Sequence, residues 1–225
     1  MILEHGLIRT LDPQLPTQRA LAIAGERIAG GVGVHELALA SPETVDLGGR
    51  VVVPGLNDAR VFAGDDVDSL RRALTIAASR GVTAVHAVDG LPLWAELDGA
   101  GALTLRVWQL LGPRQRAAFE TLGLRPGFGS AFLRLGFEQP LGGDVYASGR
   151  PLAQVDPLAD LRTGIPLDEA LAAMTVRPAA VAGDERRRGK LLPGYAADLV
   201  VLEPDRTEVV ATMVAGRWVH NPPPW

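Results

Sequence analysis

The stretch VDLGGRVVVPGLNDA, residues 45–59, contains the point where the character of the sequence changes. Before Pro54 the chain consists of short apolar runs separated by glycine turns, such as Gly25-Glu26 and Gly48-Gly49. This pattern predicts β-hairpins in a small sandwich or barrel. After Gly55, apolar residues at helical spacing alternate with short apolar runs, which predicts parallel βα units.

The segment after Pro54 carries an alternating series of predicted elements. The predicted helices are Asp65–Arg80, Leu91–Leu97, Gln115–Leu122, Leu152–Arg162, a helix starting at Pro166, and Pro178–Ala182. The predicted strands are Val82–Val88, Leu103–Leu110, Phe132–Leu135 and Val145–Ala147. About five strands are expected in this region, which makes an open sheet with exposed edges.

The end of the chain turns back to β. Apolar runs at Leu199–Leu202, Val209–Val214 and Trp218–His220 predict three strands, and the proline-rich tail Asn221–Trp225 is expected to be mobile. The predicted fold is α/β: a reduced (β/α) barrel-like domain, residues 54–185, inserted in a small β-sandwich domain built from both termini, residues 1–53 plus 186–225.

Composition limits the classes of function. The 225 residues carry a formal net charge of −4 and no cysteine. We therefore expect no nucleic-acid partner, no disulfide and no cysteine metal site. No apolar run is long enough for a membrane span, and the start of the sequence does not read as a secretory signal, so we expect a cytoplasmic protein without a membrane partner. The exposed sheet edges predict a homo-oligomer, most simply a dimer.

Several stretches resemble the amidohydrolase superfamily, and most closely its family 3 branch. They are GLIRTLD (6–12) with residues 20–29, residues 45–59, GVTAVH (81–86), LDEAL (167–171), GKLLPGYAADLVVL (189–202) and MVAGRWV (213–219). The resemblance implies a (β/α)8 barrel flanked by a small β domain made from both chain ends. It also implies hydrolysis of amide and other C–N bonds by zinc or another divalent metal, which activates a water molecule.

The sequence departs from the family where the metal ligands are expected. Arg60 and Phe62 stand where the resemblance implies a His-x-His pair, and Gly149 stands at the implied aspartate. About 130 residues separate Pro54 from Gly183, whereas a complete barrel needs about 200–250. One histidine cannot supply a histidine-rich site, and His86 is the only histidine in residues 54–185. We therefore predict no metal cofactor and a loss of hydrolytic activity, with a small anion or a partner protein as the possible ligand.

The alternative is an active metal-dependent hydrolase of non-peptide amide bonds with an atypical site. Its pocket residues would be Asp58, His86 and Asp89, with one metal held by Asp58, His86 and another carboxylate. The plainer interpretation makes His86 a hydrogen-bonded histidine at a strand end and Asp58 a partner of Arg60 or of backbone amides.

Two arginines suggest a binding site of another kind. Arg60 and Arg150 both lie near the carboxyl ends of predicted strands and could form an anion site, because guanidinium groups suit carboxylate or phosphate. Alternatively, each pairs with a nearby acidic residue. The charged run Asp184–Arg188 is expected to be a solvated loop.

Overall fold

The computed structural model describes residues 1–31, 43–160, 165–205 and 208–225. Within these ranges the strands are β1 (Ile2–Glu4), β2 (Leu7–Arg9), β3 (Thr17–Gln18), β4 (Leu21–Ala24), β5 (Arg27–Gly30), β6 (Thr44–Asp46), β7 (Val51–Pro54), β8 (Leu56–Phe62), β9 (Val82–Ala87), β10 (Arg106–Leu111), β11 (Phe128–Gly129), β12 (Leu133–Phe137), β13 (Arg150–Pro151), β14 (Leu199–Leu202), β15 (Val209–Val214) and β16 (Arg217–His220). The helices are α1 (Val67–Ser79), α2 (Leu91–Gly99), α3 (Pro113–Thr121), α4 (Pro157–Asp160), α5 (Leu167–Ala173) and α6 (Val176–Val181), with a 3-10 turn at Leu152–Gln154.

The middle of the chain forms a largely parallel six-stranded sheet. Its strand order is β11-β12-β10-β9-β8-β13, and only the β11–β12 pairing is antiparallel. The helices α1, α2 and α3 follow β8, β9 and β10 in turn. The mixed α/β class is thereby confirmed, whereas the barrel-like character of this sheet stays a prediction.

The core of this region lies between the sheet and its helices. Val61, Val85 and Val107 project from three neighbouring strands onto the same side, where they pack against Leu74 of α1 and Trp94 of α2. In parallel sheets, aligned residues of adjacent strands share a face. By the same registers, the opposite face of the sheet carries Asn57, His86, Arg106 and Arg134.

Strands from both ends of the chain share one sheet. β7 pairs antiparallel with β14, inside the six-stranded order β16-β15-β14-β7-β2-β3. A four-stranded sheet, β5-β4-β1-β6, packs against it through an apolar layer that includes Leu3, Ile23 and Val201. The pairing of terminal strands follows the prediction, and the division into domains 1–53 plus 186–225 and 54–185 stays a prediction.

Three local predictions were wrong. The segment predicted as strand Val145–Ala147 lies outside the strands, and β13 begins three residues later at Arg150. The predicted helix Leu152–Arg162 is interrupted at Val155, whose backbone is extended because Pro157 follows closely and starts a new helix; residues 161–162 lie outside the described residues.

The third correction concerns the chain end. The tail expected to be mobile is held against the sandwich, because the Trp225 ring packs edge-on against Trp218 at 5.7 Å between centroids. The Arg50 guanidinium lies 5.5 Å from the centroid of the Trp225 ring, and the Asn221 side chain donates a hydrogen bond to the Val210 carbonyl at 2.7 Å.

Among the described residues, none of the helices combines the length and apolar character that a membrane crossing requires.

Candidate functional site at the carboxyl edge of the parallel sheet

A hollow of about 570 Å³ lies where β10 and β12 end. Leu111 and Phe137, the last residues of these strands, give it an apolar floor, and Arg60, Arg116 and Glu138 supply its charged rim. Because parallel strands end at the same edge of a sheet, binding sites of α/β proteins concentrate there. The volume falls in the range of roughly 300–1,000 Å³ typical of small-molecule sites.

Arg60 is the first of the predicted site residues at this edge. Its guanidinium is paired with the carboxylate of Glu138 at 2.6 Å, and both side chains are about half exposed. On the other side of the hollow, the Arg116 guanidinium lies 4.6 Å from the centre of the Phe137 ring. Arg116 is also paired with the Glu120 carboxylate at 2.9 Å, so the hollow has a cationic group at each side, each compensated by a neighbouring carboxylate.

Asp58 is fully buried in β8. Its Oδ1 atom accepts hydrogen bonds from the backbone N–H groups of Arg60 at 2.9 Å and Ser148 at 3.0 Å. Burial raises the pKa of the Asp58 carboxyl, and the hydrogen bonds from Ser148 and Arg60 oppose that rise. Through these hydrogen bonds, Asp58 holds the segment before β13 against β8. This agrees with the interpretation that Asp58 caps backbone amides.

His86 lies in β9, 1% exposed, on the face of the sheet opposite α1 and α2, where α6 packs. It aligns with Trp108 of β10 and borders a small cavity of about 30 Å³. Burial lowers the pKa of His86 to about 4, and the nearby backbone carbonyl of Pro178 opposes this shift only partly. The imidazole is therefore neutral at pH 7. Neither ring nitrogen makes a hydrogen bond of good geometry to the described residues, in contrast to the hydrogen-bonded histidine of the plainer interpretation.

Asp89 closes the turn after β9. Its Oδ1 atom accepts a hydrogen bond from the backbone N–H of Ala63 at 2.7 Å, and its carbonyl accepts one from the Trp94 indole at 3.1 Å. These contacts give Asp89 a structural role in joining the ends of β8 and β9.

The structure does not gather Asp58, His86 and Asp89 into one ligand cluster. Asp58 is held by Ser148 and Asp89 by Ala63, and neither carboxylate borders the cavity that contains His86. Over residues 1–31, 43–160, 165–205 and 208–225, no group of three histidine, cysteine, aspartate or glutamate side chains could hold a metal ion. The donor set present does not fit the divalent metal that the resemblance implies.

The two arginines of the predicted anion site contact separate carboxylates. Arg150 opposes Val61 in the β13–β8 register, and its guanidinium lies 3.3 Å from Asp160. The Tyr146 hydroxyl donates a hydrogen bond to the same carboxylate. Burial raises the pKa of this hydroxyl, and Asp160 adds to the rise. A joint anion site of Arg60 and Arg150 stays a prediction.

Sequence reasoning missed a buried ionic cluster on the polar face of the sheet. The Arg106 guanidinium makes two hydrogen bonds to the Asp198 carboxylate, at 2.7 and 3.1 Å. Arg134 and Arg188 both contact the Asp184 carboxylate, at 3.2 and 3.1 Å. The available signal was an arginine at or near the start of two otherwise apolar strands.

The charged run at residues 184–188, which was predicted to be a solvated loop, contributes side chains to this buried cluster. Asp184 is 5% exposed and Arg188 is largely buried, so the run is not simply a solvated loop. Burial, and next the neighbouring Arg106 charge, lowers the pKa of Arg188 to about 10.

Comparisons with known proteins agree with this architecture. A family model described as "Amidohydrolase family" matches residues 144–220. Over residues 144–220, about a third of its length, the chain is similar to this amidohydrolase family. The resemblance predicted from the sequence is confirmed, and the match covers the segment that contains β13 to β16.

Solved structures show the same fold at low sequence identity. An A. niger ochratoxinase is 14% identical with a TM-score of 0.70, over 98% of this chain and 95% of that chain. An uncharacterized metal-dependent hydrolase from Pyrococcus furiosus is 13% identical with a TM-score of 0.74, over 92% and 99%. An amidohydrolase from a Sargasso Sea environmental sample is 14% identical with a TM-score of 0.68, over 98% and 92%. No curated protein matches the amidohydrolase-like chain.

Proposed function

We propose that this amidohydrolase-like protein has lost metal-dependent hydrolysis and uses the carboxyl-edge hollow to bind a small anionic molecule. The observation that carries the proposal is the Arg60–Glu138 ion pair at 2.6 Å, at the position where the resemblance implies a histidine ligand. A guanidinium is charged at all physiological pH values and repels a metal cation.

The ion pair also supports binding of an anion. Glu138 is about half exposed, so an anionic ligand can replace its carboxylate on Arg60 without leaving a buried charge unpaired. The apolar floor formed by Leu111 and Phe137 supplies the contact area for the rest of a small ligand.

The first experiment measures metal content and amide hydrolysis of the same preparation. The protein is purified without added metal, analysed by elemental mass spectrometry, and assayed on a panel of N-acylated amino acids with and without added Zn²⁺ or Mn²⁺. We expect no stoichiometric metal and no metal-dependent turnover, with cooperative urea unfolding showing that the protein is folded. Near-stoichiometric metal whose removal abolishes hydrolysis would overturn the proposal.

A triple variant tests the loss of the metal site from the opposite direction. Arg60→His, Phe62→His and Gly149→Asp together restore the implied residue types, and Gly149 has φ +63°, a conformation that aspartate tolerates. We expect no hydrolytic activity, because His86 would be the only further histidine in residues 54–185, too few for a histidine-rich metal site. Metal-dependent amidase activity in this variant would show that the other ligands survive.

A second candidate function is hydrolysis at an atypical site near Asp58 and His86. It rests on the buried imidazole of His86, whose ring nitrogens make no hydrogen bond of good geometry to the described residues. Burial lowers the pKa of His86 and so favours the neutral form, which is the form that ligates metals. Under this alternative the wild type has metal-dependent activity that His86→Gln abolishes. An inactive wild type removes it.

A further inference from the structure

A second hollow, of about 140 Å³, lies at the opposite end of the parallel sheet. It is bordered by the amino-terminal parts of β10 and β12, the turn between β4 and β5, and the loop before β14. Its charged lining consists of Arg27, Arg106, Arg134, Arg187, Arg188 and Glu26. We call it the amino-edge hollow, and it shares no lining residue with the carboxyl-edge hollow.

The amino-edge hollow adjoins the buried cavity that His86 borders. Arg106, Arg134 and Arg188 border both spaces and form their common wall. On the inner side, His86 and Asn57 are at least nine-tenths buried and line the cavity. Both His86 ring nitrogens and the Asn57 side-chain oxygen make no hydrogen bond of good geometry to the described residues. Buried polar atoms of this kind ordinarily have a partner.

The two adjacent spaces together carry an excess of positive charge on their linings. Five arginines line them, against the three carboxylates of Glu26, Asp184 and Asp198, so two positive charges remain uncompensated. The protein as a whole has a net charge of −4, which makes this concentration a local feature rather than a general one.

Guanidinium donors remain available at the hollow. Asp184 is shared by Arg134 and Arg188, so neither arginine has a carboxylate of its own. The Arg187 side chain is exposed and makes no ion pair with the residues that the structure describes, and Arg27 donates to the backbone carbonyl of Gly194 at 2.6 Å. The lowered pKa of Arg188 reflects crowding of the cations as well as burial.

We propose that the amino-edge hollow binds a divalent oxyanion, either inorganic phosphate or the phosphoryl group of a phosphate monoester. Two surplus positive charges match a dianion, and guanidinium forks match the spacing of phosphate oxygens. A hollow of 140 Å³ is below the roughly 300 Å³ typical of sites that enclose a whole metabolite, so only a small ion or a terminal group fits inside.

The test compares neighbouring arginines in the full-length protein. Inorganic phosphate is titrated at constant ionic strength into the wild type, Arg187→Gln and Arg186→Gln by isothermal calorimetry, with thermal unfolding as a second readout. Arg186 is exposed, lies one residue away and does not line the hollow, so its variant removes the same charge outside the site. We expect saturable binding that Arg187→Gln weakens roughly tenfold or more and Arg186→Gln leaves unchanged, because one charge-assisted hydrogen bond is lost.

The two sources of the phosphoryl group are separated by a second titration. If glycerol 3-phosphate binds only as tightly as inorganic phosphate, the phosphate group alone accounts for the affinity and the free ion is the ligand. If glycerol 3-phosphate binds more tightly, the ligand is a phosphate monoester. Absence of saturable binding, or equal effects of the two substitutions, would overturn the proposal, since equal effects indicate general charge attraction. The outcome is independent of metal content and amide hydrolysis, and cooperative unfolding of both variants verifies that they fold.

Discussion

At the residue scale, the Arg106–Asp198 pair shows how strongly a single buried contact ties the sheet to the chain end. Both side chains are less than one-tenth exposed, and Asp198 also accepts the backbone N–H of Ala215 at 2.8 Å. The pair connects β10 with the segment leading into β14. Removing one partner leaves the other charge buried and uncompensated.

We predict that Arg106→Met lowers the free energy of unfolding by about 3–5 kcal/mol, because Asp198 then stays buried without its guanidinium. The matched control is Arg116→Met, since Arg116 and Glu120 are each 54% exposed. An exposed pair contributes about 0–1 kcal/mol. Urea unfolding followed by circular dichroism measures both variants. Similar losses in the two would show that the buried pair is not special.

His86 gives a prediction for the dependence of stability on pH. Its pKa falls from 6.5 to about 4 on folding, so the unfolded chain takes up a proton before the folded protein does. The stability from a neutral His86 is complete above pH 6.5 and is lost as the pH falls towards 4. The loss amounts to about 3 kcal/mol.

His86→Gln should abolish this contribution, because glutamine does not titrate. The measurement is the difference in unfolding free energy between pH 7.5 and pH 4.5 for the wild type and the variant. All other titrating groups are common to both proteins, so the difference in slope isolates the imidazole. Parallel slopes would show that His86 is not buried in its neutral form.

At the element scale, two glycines in the loop from Gly189 to Gly194 have the same left-handed backbone conformation but differ in how closely other backbone atoms approach them. Gly189 has φ +85° and Gly194 has φ +84°, values that residues with a side chain rarely adopt. A Cβ atom at Gly189 would lie 2.8 Å from the Thr175 carbonyl oxygen, whereas a Cβ at Gly194 would meet nothing within 4 Å. Gly189 is therefore required for close packing against the start of α6 as well as for its φ angle.

We predict that Gly194→Ala lowers stability by about 1–2 kcal/mol through the backbone conformation alone. Gly189→Ala should lower it by a further 1–3 kcal/mol or so, because the methyl group collides with backbone that cannot rotate away. Chemical denaturation of the two variants tests this order. If the two alanine variants are equally stable, the close approach at Thr175 is absent in solution.

At the scale of the whole molecule, the two edges of the parallel sheet are the basis of the oligomer prediction. β11 lies at one edge of the parallel sheet and β13 at the other, and each is two residues long. Short edge strands limit edge-to-edge pairing but leave backbone groups that a second copy can satisfy.

We keep the prediction of a homodimer with edges paired across a two-fold axis. Multi-angle light scattering at micromolar concentration should give twice the mass of 23.8 kDa. A clean monomer over the concentration range would contradict the prediction. Repeating the measurement on a diluted sample is the control, because the measured mass of a weak dimer then falls towards that of the monomer.

The sequence by itself determined the order of β, βα and β segments and the family resemblance. Helix α1 was predicted because its apolar residues recur at helical spacing, and the buried side chains Leu70, Leu74 and Ala77 follow that spacing. No bounds were predicted for strand β8, because Asn57, Asp58 and Arg60 interrupt the apolar pattern that identifies a buried strand. That positions 60 and 62 carry arginine and phenylalanine rather than histidine was also evident without a structure.

Only the tertiary structure decided which charged residues meet. Arg106 and Asp198 are 92 residues apart in the chain, and Arg134 and Asp184 are 50 apart. The periodicity of apolar residues shows on which face of its own helix or strand a residue lies. It does not show which other helix or strand packs against that face. The buried cluster around His86 and the amino-edge hollow arise because the loop before β14 lies across the polar face of the sheet. That placement follows from β14 pairing with β7, a long-range contact set by the packing of the whole chain.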